Sequence, residues 1–358
     1  MSIDLAALRR LVDETAKEHG IPGISVAVGL DRQSVWPVVS GVAELATNAP
    51  LAPAAVFPVY SITKTFMAVA TVCLAQQGRL DLETPLGRWL RVPPVASVTL
   101  RQVLNHSGGI PDYGRFKSYH TAVQTTPGQP WTLDQILNTT LAGGLDFPPG
   151  QEFRYSNTGY TLLKQILQLV TGRSLARVLT DEVFRPVGLA SARVVETPAD
   201  LAELTPGYTE LFSVSGDLQD MRRVYHPGWV ATGLVAATAE DVARFLDGVF
   251  GGALLDPPYL AMLCDLLPVP QFAADPYPFG YGLGLMGKRS SPDYGPFYGH
   301  EGGGPGYGAA AYHAPAVHGH ALTVAVLINR DPSEQAGRLA FRLLDWFAAE
   351  LDTRSDYH

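Results

Sequence analysis

"VYSITKTF" (residues 59–66) decides how the rest of the chain is read. It puts Ser61 and Lys64 three apart at the head of "MAVATVCLAQQG" (67–78), apolar almost throughout, and the spacing predicts a core helix over 63–77. A buried lysine is costly unless it is paired or neutral. On a helix, positions i and i+3 share a face, with about 5–6 Å between their β-carbons. Near the first turn, free backbone N–H groups and the helix dipole favour negative charge. A serine hydroxyl is a weak nucleophile until a base takes its proton. A lysine desolvated by Val59, Phe66 and Met67 has its pKa lowered toward that task. The competing reading has Ser61 capping the helix and Lys64 snorkelling into water. S-x-x-K alone is too common to choose between them.

On the N-terminal side, residues 3–18 carry Leu5, Leu8, Leu11, Val12 and Ala16 at helical spacing, and Gly20 stops the helix. "ISVAVGL" (24–30) reads as a strand, "DRQ" as a turn and "SVWPVVSGVA" (34–43) as the returning strand, with Pro37 marking an edge or bulge. The C-terminal end mirrors this opening. "FGYGLGLM" (279–286), "GYGAAAYHA" (306–314) and "ALTVAVLIN" (321–329) read as three strands before an amphipathic helix over 333–351. The expectation is an α/β (α+β) fold: an antiparallel five-stranded sheet flanked by terminal helices. Helical patterns at 63–77, 132–142, 158–171 and 174–184, separated by Pro/Gly/aromatic loops, make the middle a mainly helical insertion. Residues 1–60 and 235–358 would then form a sandwich domain and 61–234 a helical one, with the site between them. "VAATAEDVARFLDGVFGG" (235–252) predicts a short strand and a helix, with Thr238 and Asp241 spaced as a capping box.

Composition narrows the function. The 358 residues carry 26 Lys and Arg against 34 Asp and Glu, a net charge of −8, with no basic tract. That excludes an electrostatic footprint for nucleic acid. No stretch approaches the roughly 20 apolar residues that span a bilayer, and Arg9, Arg10, Asp13 and Glu14 interrupt any signal-peptide core. The expectation is a cytoplasmic protein that binds neither nucleic acid nor membrane. Cys73 and Cys264 lie in apolar stretches and read as buried thiols.

Two further stretches bear on chemistry. In "EFRYSNTGYTLL" (152–163), Tyr155 and Asn157 sit two apart just before a helix, so an extended backbone points both the same way. A phenol is a poor base without a cation beside it, and Lys64 could be that cation. The alternative is Tyr155 as a core aromatic and Asn157 as a helix cap. In "YGHEGGGPGYGAA" (298–310), His300 precedes glycines that admit a substrate backbone against a strand. N–H groups near Gly302 and Gly303, with that of Ser61, suit an oxyanion hole. The alternative is a glycine turn with a solvated histidine.

Taken together, S-x-x-K at 61–64, Y-x-N at 155–157 and H-x-G at 300–302 resemble the motifs of the serine β-lactamase and penicillin-binding-protein superfamily. The chain looks most like its class C-like branch of D,D-peptidases, D-aminopeptidases, D-amino-acid amidases and family VIII esterases. "FPVYSITKTF", "GRLDLETPLGRWL", "TLRQVLNHSGGIPDY", "PPGQEFRYSNTGYTLL" and "GYGLGL…GHEGGGPGY" extend the likeness over roughly 20–350. The resemblance implies Ser61 as acylated nucleophile, Lys64 and Tyr155 as proton-transfer pair, and Asn157 as the group orienting the acyl-side amide and Lys64. It implies His300 in place of the third-motif lysine, and a structural role for His106. It leaves open which of Lys64 and Tyr155 takes the serine proton, and gives Tyr155 as the base for water. Glu301 departs from the pattern, because penicillin-recognising members usually have Thr or Ser there to hold a substrate carboxylate. An ionised Glu301 would repel that anion, which disfavours carboxypeptidase and β-lactamase activity and favours an amine-bearing or neutral substrate.

The expected function is a serine hydrolase acting through an acyl-enzyme on an ester, or on an amide or short peptide of a D-amino acid, with no cofactor and no metal. Glu301, Asp112 and Tyr113 are the candidate substrate-binding residues, Asp112 through an ammonium group. The aromatic residues of 112–131 and 205–231 are candidates for a pocket wall. Two alternatives are an acyltransferase with the same acyl-serine and a non-catalytic penicillin-binding or ligand-sensing module. "GLGLMG" (282–287) mimics a dinucleotide loop without the following helix, and "HAPAVHGH" (313–320) reads as a hairpin loop that could hold adventitious metal.

Overall fold

The computed structural model describes residues 4–32 and 34–355, so residue 3 of the predicted first helix and Gln33 of the predicted turn lie outside the described residues. Helix α1 (Leu5–Glu18) begins where the Asp4 carboxylate accepts hydrogen bonds from Ala6 N and Ala7 N, and it buries Leu8, Val12 and Ala16. Strand β1 (Gly23–Leu30) is buried along its whole length and pairs antiparallel with β2 (Ser34–Glu44). Pro37 sits in β2 where the next strand, β3 (Ala49–Pro50), does not reach, so its missing N–H leaves no ladder bond unmade.

The rest of the sheet comes from the far end of the chain. Strands β4 (Leu267–Pro268), β5 (Gly280–Tyr281), β6 (Met286–Lys288), β7 (Phe297–Gly304), β8 (Tyr307–Val317) and β9 (His320–Ile328) complete an antiparallel sheet in the order β3-β2-β1-β9-β8-β7-β6-β5-β4. Among the described residues it has nine strands rather than the expected five. Four of the five long ones, β1, β2, β8 and β9, are those anticipated; β7 forms where only a glycine-rich lead-in to a strand was expected, and "FGYGLGLM" splits into β5 and β6 around Gly284, whose φ of 71° makes a turn. "HAPAVHGH" is likewise mostly strand, with the turn confined to its end.

Period-two alternation divides the core. Val26, Val28, Val324 and Val326 face α1 and the terminal helix α5 (Glu334–Ser355), while Ala27, Ala325 and Leu327 face the other way, into the larger core. That second core is built around α2 (Ile62–Gln76), α3 (Asn157–Thr171) and α4 (Ala239–Phe250). Every residue of α2 from Ile62 to Leu74 is buried, which is why its sequence is apolar all round. Phe66 stacks on Phe245 of α4 with ring centroids 3.8 Å apart. Only half of the predicted capping box forms on α4. Thr238 Oγ1 accepts from Asp241 N at 3.1 Å, but the Asp241 carboxylate turns to Ser191 N and Oγ, 2.6 Å from each. Cys73 is buried, Cys264 only half-buried, and both are free thiols. Among the described residues no helix is long and apolar enough to cross a membrane, and no group of His, Cys, Asp and Glu is placed to hold a metal ion.

Candidate active site

Two local constraints present Ser61. The short strand Phe57–Pro58 pairs with Val235–Ala237, and Val59 N bonds Val235 O at 2.9 Å, which pins the approach to α2. Tyr60 then takes a φ of 42°, a conformation costly for a bulky residue, and turns the chain into the helix. Ser61 stands at the cap position, but its hydroxyl makes no capping bond. The N–H groups of Ile62, Thr63 and Lys64 bond to Val59, Tyr60 and Ser61 carbonyls, and the Ser61 N–H takes no part in that turn.

Lys64 does not snorkel. It is 1% exposed and its Nζ lies 3.0 Å from Ser61 Oγ. The neighbouring buried threonines of α2 are satisfied within the fold: Thr63 Oγ1 accepts from Val235 N, Thr65 donates to Gly284 O and Thr71 to Met67 O. Nζ also sits 4.9 Å from the Tyr155 ring centroid and 5.8 Å from that of Tyr160. Burial brings the amine down to about 7, opposed by the negative charge of Asp112. Burial dominates at Tyr155 and holds its phenol well above the ordinary tyrosine range, against the opposing influence of the Ser61 hydroxyl. Ser61, Lys64 and Tyr155 therefore converge.

Ser156, not Asn157, caps α3: its Oγ accepts from Gly159 N at 3.0 Å. That frees the Asn157 side chain, which Asp112 holds by accepting from Asn157 N at 3.0 Å and from Nδ2 at 3.4 Å. Asp112, expected to receive a substrate ammonium, is thus committed to Asn157 and to the field at Lys64. Tyr113 is buried and lines the cleft beside Ser61.

His300 is 3% exposed and both ring nitrogens are engaged. Nδ1 donates to Glu301 O at 2.5 Å, so Nε2 accepts from Tyr281 Oη at 2.9 Å. Burial pushes its pKa down to about 3, so the ring is neutral and supplies no positive charge to the site. Its ring packs with a centroid 6.3 Å from that of Tyr155. His106, with a φ of 59°, accepts from Ser156 N and packs 4.3 Å from the Tyr155 ring on another side. Tyr281 is the contact that sequence reasoning did not assign. It lies in a two-residue strand, and only the register of β5, β6 and β7 reveals that it meets His300.

The third motif lies on β7, whose pairing with β6 ends at Gly299, leaving the outer edge of 300–304 open. A β-carbon at Gly302 would stand 2.2 Å from Val59 O and 2.8 Å from Ser61 N, so glycine is what lets this strand lie against the nucleophile. Two hollows flank the site. One, about 260 Å³, is lined by Ser61, Lys64, Asn157, Gly303 and Gly304, with Tyr113, Tyr119, Tyr225 and Trp229 as aromatic wall. The other, about 730 Å³, lies on the Tyr155 and Glu301 side. The Glu301 carboxyl, raised by burial, accepts a hydrogen bond from Tyr312 Oη at 2.9 Å.

The chain resembles known proteins over most of its length. Residues 8–345 match the family described as Beta-lactamase. The chain is 29% identical over 281 residues to a penicillin-binding protein of Bacillus subtilis (strain 168), covering 75% of this chain and 60% of that protein. It is 28% identical over 300 residues to a D-aminopeptidase of Brucella canis, covering 80% of this chain and 54% of the relative. The chain thus spans little more than half the length of these curated relatives. The crystal structure of a D-stereospecific amidohydrolase from Streptomyces sp. superposes with a TM-score of 0.79 at 26% identity, covering 95% of this chain and 99% of the other.

Proposed function

Because the chain belongs to the Beta-lactamase family, we propose that it is a serine hydrolase that cleaves amides or short peptides of D-amino acids, and simple esters, through an acyl-enzyme on Ser61. The observation that carries this reading is the 3.0 Å contact between Ser61 Oγ and a desolvated Lys64 amine whose pKa lies at about 7. The D-amino-acid preference rests on the relatives, a D-aminopeptidase and a D-stereospecific amidohydrolase.

The electrostatics favour Lys64 over Tyr155 as the base. The lysine is lowered to near neutrality, the phenol is raised, and neutral His300 offers no second cation to hold a phenolate. In acylation Lys64 takes the Ser61 proton while Oγ bonds to the substrate carbonyl carbon. Ser61 N–H and Gly303 N–H hold the oxyanion. The bond to the leaving nitrogen or oxygen then breaks, the leaving atom takes a proton from the Tyr155 phenol, and the Lys64 ammonium restores that phenol. Water enters the acyl-enzyme by the same route: its proton passes through Tyr155 to Lys64, its oxygen bonds to the acyl carbon, and the Ser61 oxygen leaves reprotonated.

A panel of D- and L-amino-acid amides beside p-nitrophenyl butyrate tests the reading. Turnover of the D-amides and of the ester is expected, together with an acyl adduct on the Ser61 peptide in quenched mass spectra. A panel without turnover or adduct defeats it, and product transfer to added amines in preference to water would turn it into an acyltransferase. The rate has its own signature. Lys64 must be neutral to act, so kcat/KM rises with pH through about 7. The Asp112 charge raises the lysine pKa, so Asp112→Asn moves that acid limb lower, by about half a unit, and lowers kcat/KM roughly tenfold by loosening Asn157. An unmoved limb in that variant would show that Asp112 does not act on Lys64.

A further inference from the structure

The 730 Å³ hollow meets the chemistry above only at Tyr155. Phe153, Phe272, Phe279, Tyr281, Tyr312 and Phe341 wall it, and Glu301 places a carboxylate among them. Tyr312 occupies one oxygen, Oε1. No basic group of the described residues pairs with Glu301, and the cations nearest the rim are spoken for: Lys288 by Asp275 at 2.9 Å and Arg154 by Asp146 at 3.2 Å. A carboxyl with no counter-ion in an aromatic box is a setting that favours an ammonium, whose charge would stabilise the carboxylate while the ring faces hold the cation. The volume suits a ligand fragment larger than ammonia.

The position fixes which part of a substrate enters. Along β7, Gly303 and Gly304 border the smaller hollow and Glu301 borders the larger. Ser61, Lys64 and Asn157 line the smaller one; Tyr155 lines the larger. The group that receives its proton from Tyr155 leaves on the Tyr155 side. We infer that the larger hollow is the leaving-group site and that it selects amines or alcohols with a bulky apolar body carrying a positive charge. This inference rests on the acyl-enzyme reading for its direction, not for the hollow itself.

Four D-phenylalanine amides with a constant acyl half test it: the primary amide, the benzylamide, the 4-(aminomethyl)benzylamide and the 4-carboxybenzylamide. The expected order of kcat/KM is cationic above neutral above primary, with the anionic one lowest. Glu301→Gln should reduce the cationic-to-neutral ratio about tenfold. Phe272→Ala, at a residue 41% exposed on the rim, should reduce the benzylamide-to-primary ratio. An anionic substrate equal to the cationic one, or a ratio that Glu301→Gln leaves unchanged, overturns the inference while leaving the hydrolase reading intact. A separate titration does not depend on turnover. 4-(Aminomethyl)benzylamine should bind the Ser61→Ala protein and bind Ser61→Ala/Glu301→Gln about tenfold more weakly. No binding, or equal binding, overturns the inference even if every amide is inert, a result that would independently defeat the hydrolase reading.

Discussion

Ser61→Ala lowers kcat/KM for p-nitrophenyl butyrate by roughly 10⁴-fold or more, because no neighbouring oxygen can take its place as nucleophile. The change should leave the fold alone. The Ser61 side chain makes no capping bond, and its backbone is set by the Val59–Val235 contact and the Tyr60 turn, neither of which needs the hydroxyl. Stability is expected to stay within about 1 kcal/mol of the parent. Substrate binding should persist, since the aromatic wall and the edge of β7 are untouched. Steady-state assays with an equilibrium melt are the check. A variant that melts like the parent and keeps the parental rate removes Ser61 from the chemistry.

Lys64→Met gives the second large effect, and its two readouts move in opposite directions. Activity falls by at least about 10³-fold, since the base is gone and the methionine thioether cannot replace it. Stability rises by about 1–3 kcal/mol, because a desolvated amine is exchanged for an apolar side chain of similar length in a helix buried from Ile62 to Leu74. The sign follows from linkage. The folded-state pKa is lowered from 10.5 to about 7, so the unfolded chain binds the proton more tightly between these values. Parental stability therefore falls as pH drops from about 10.5 and levels off below about 7, and the advantage of the methionine variant is fully developed there. Melts at pH 6 and at pH 9.5 should show the larger gap at pH 6. A less stable variant at pH 6 would mean that the buried amine carries no desolvation penalty.

Most long elements were legible because their periodicities are strong; β7 was the exception, because its run of glycines carries no alternation. "ISVAVGL" and "ALTVAVLIN" pair with each other from Ile24–Ile328 to Leu30–Leu322, and α2 is apolar on every face because it is buried on every face. The short strands were not, since two or three residues carry no period, and "FGYGLGLM" passes for one strand until Gly284 bends it. The same blindness hid Tyr281, whose contact with His300 depends on the register of three strands. Asp112 was legible as an acid in a loop near the site, but a carboxylate that serves an amide and one that serves an ammonium are spelled alike. Spacing likewise brought Ser61, Lys64 and Tyr155 to notice, yet could not rank the last two as bases. Burial separates the two groups, lowering an amine and raising a phenol by the same desolvation, and the proposed role of Lys64 as base rests on that difference.

The edge of β7 left bare beyond Gly299 has a consequence for handedness. Main-chain pairing along a strand reads the direction of a ligand's amides and is indifferent to its side chains. Once such a ligand is docked, its configuration decides only to which face of the sheet its α-substituent projects. Enantiomers that bind this edge in the same direction are therefore sorted by the walls, floor against roof, and exchanging bulk between the two sides is the route by which mirror-image preference would be inverted without touching the reacting groups.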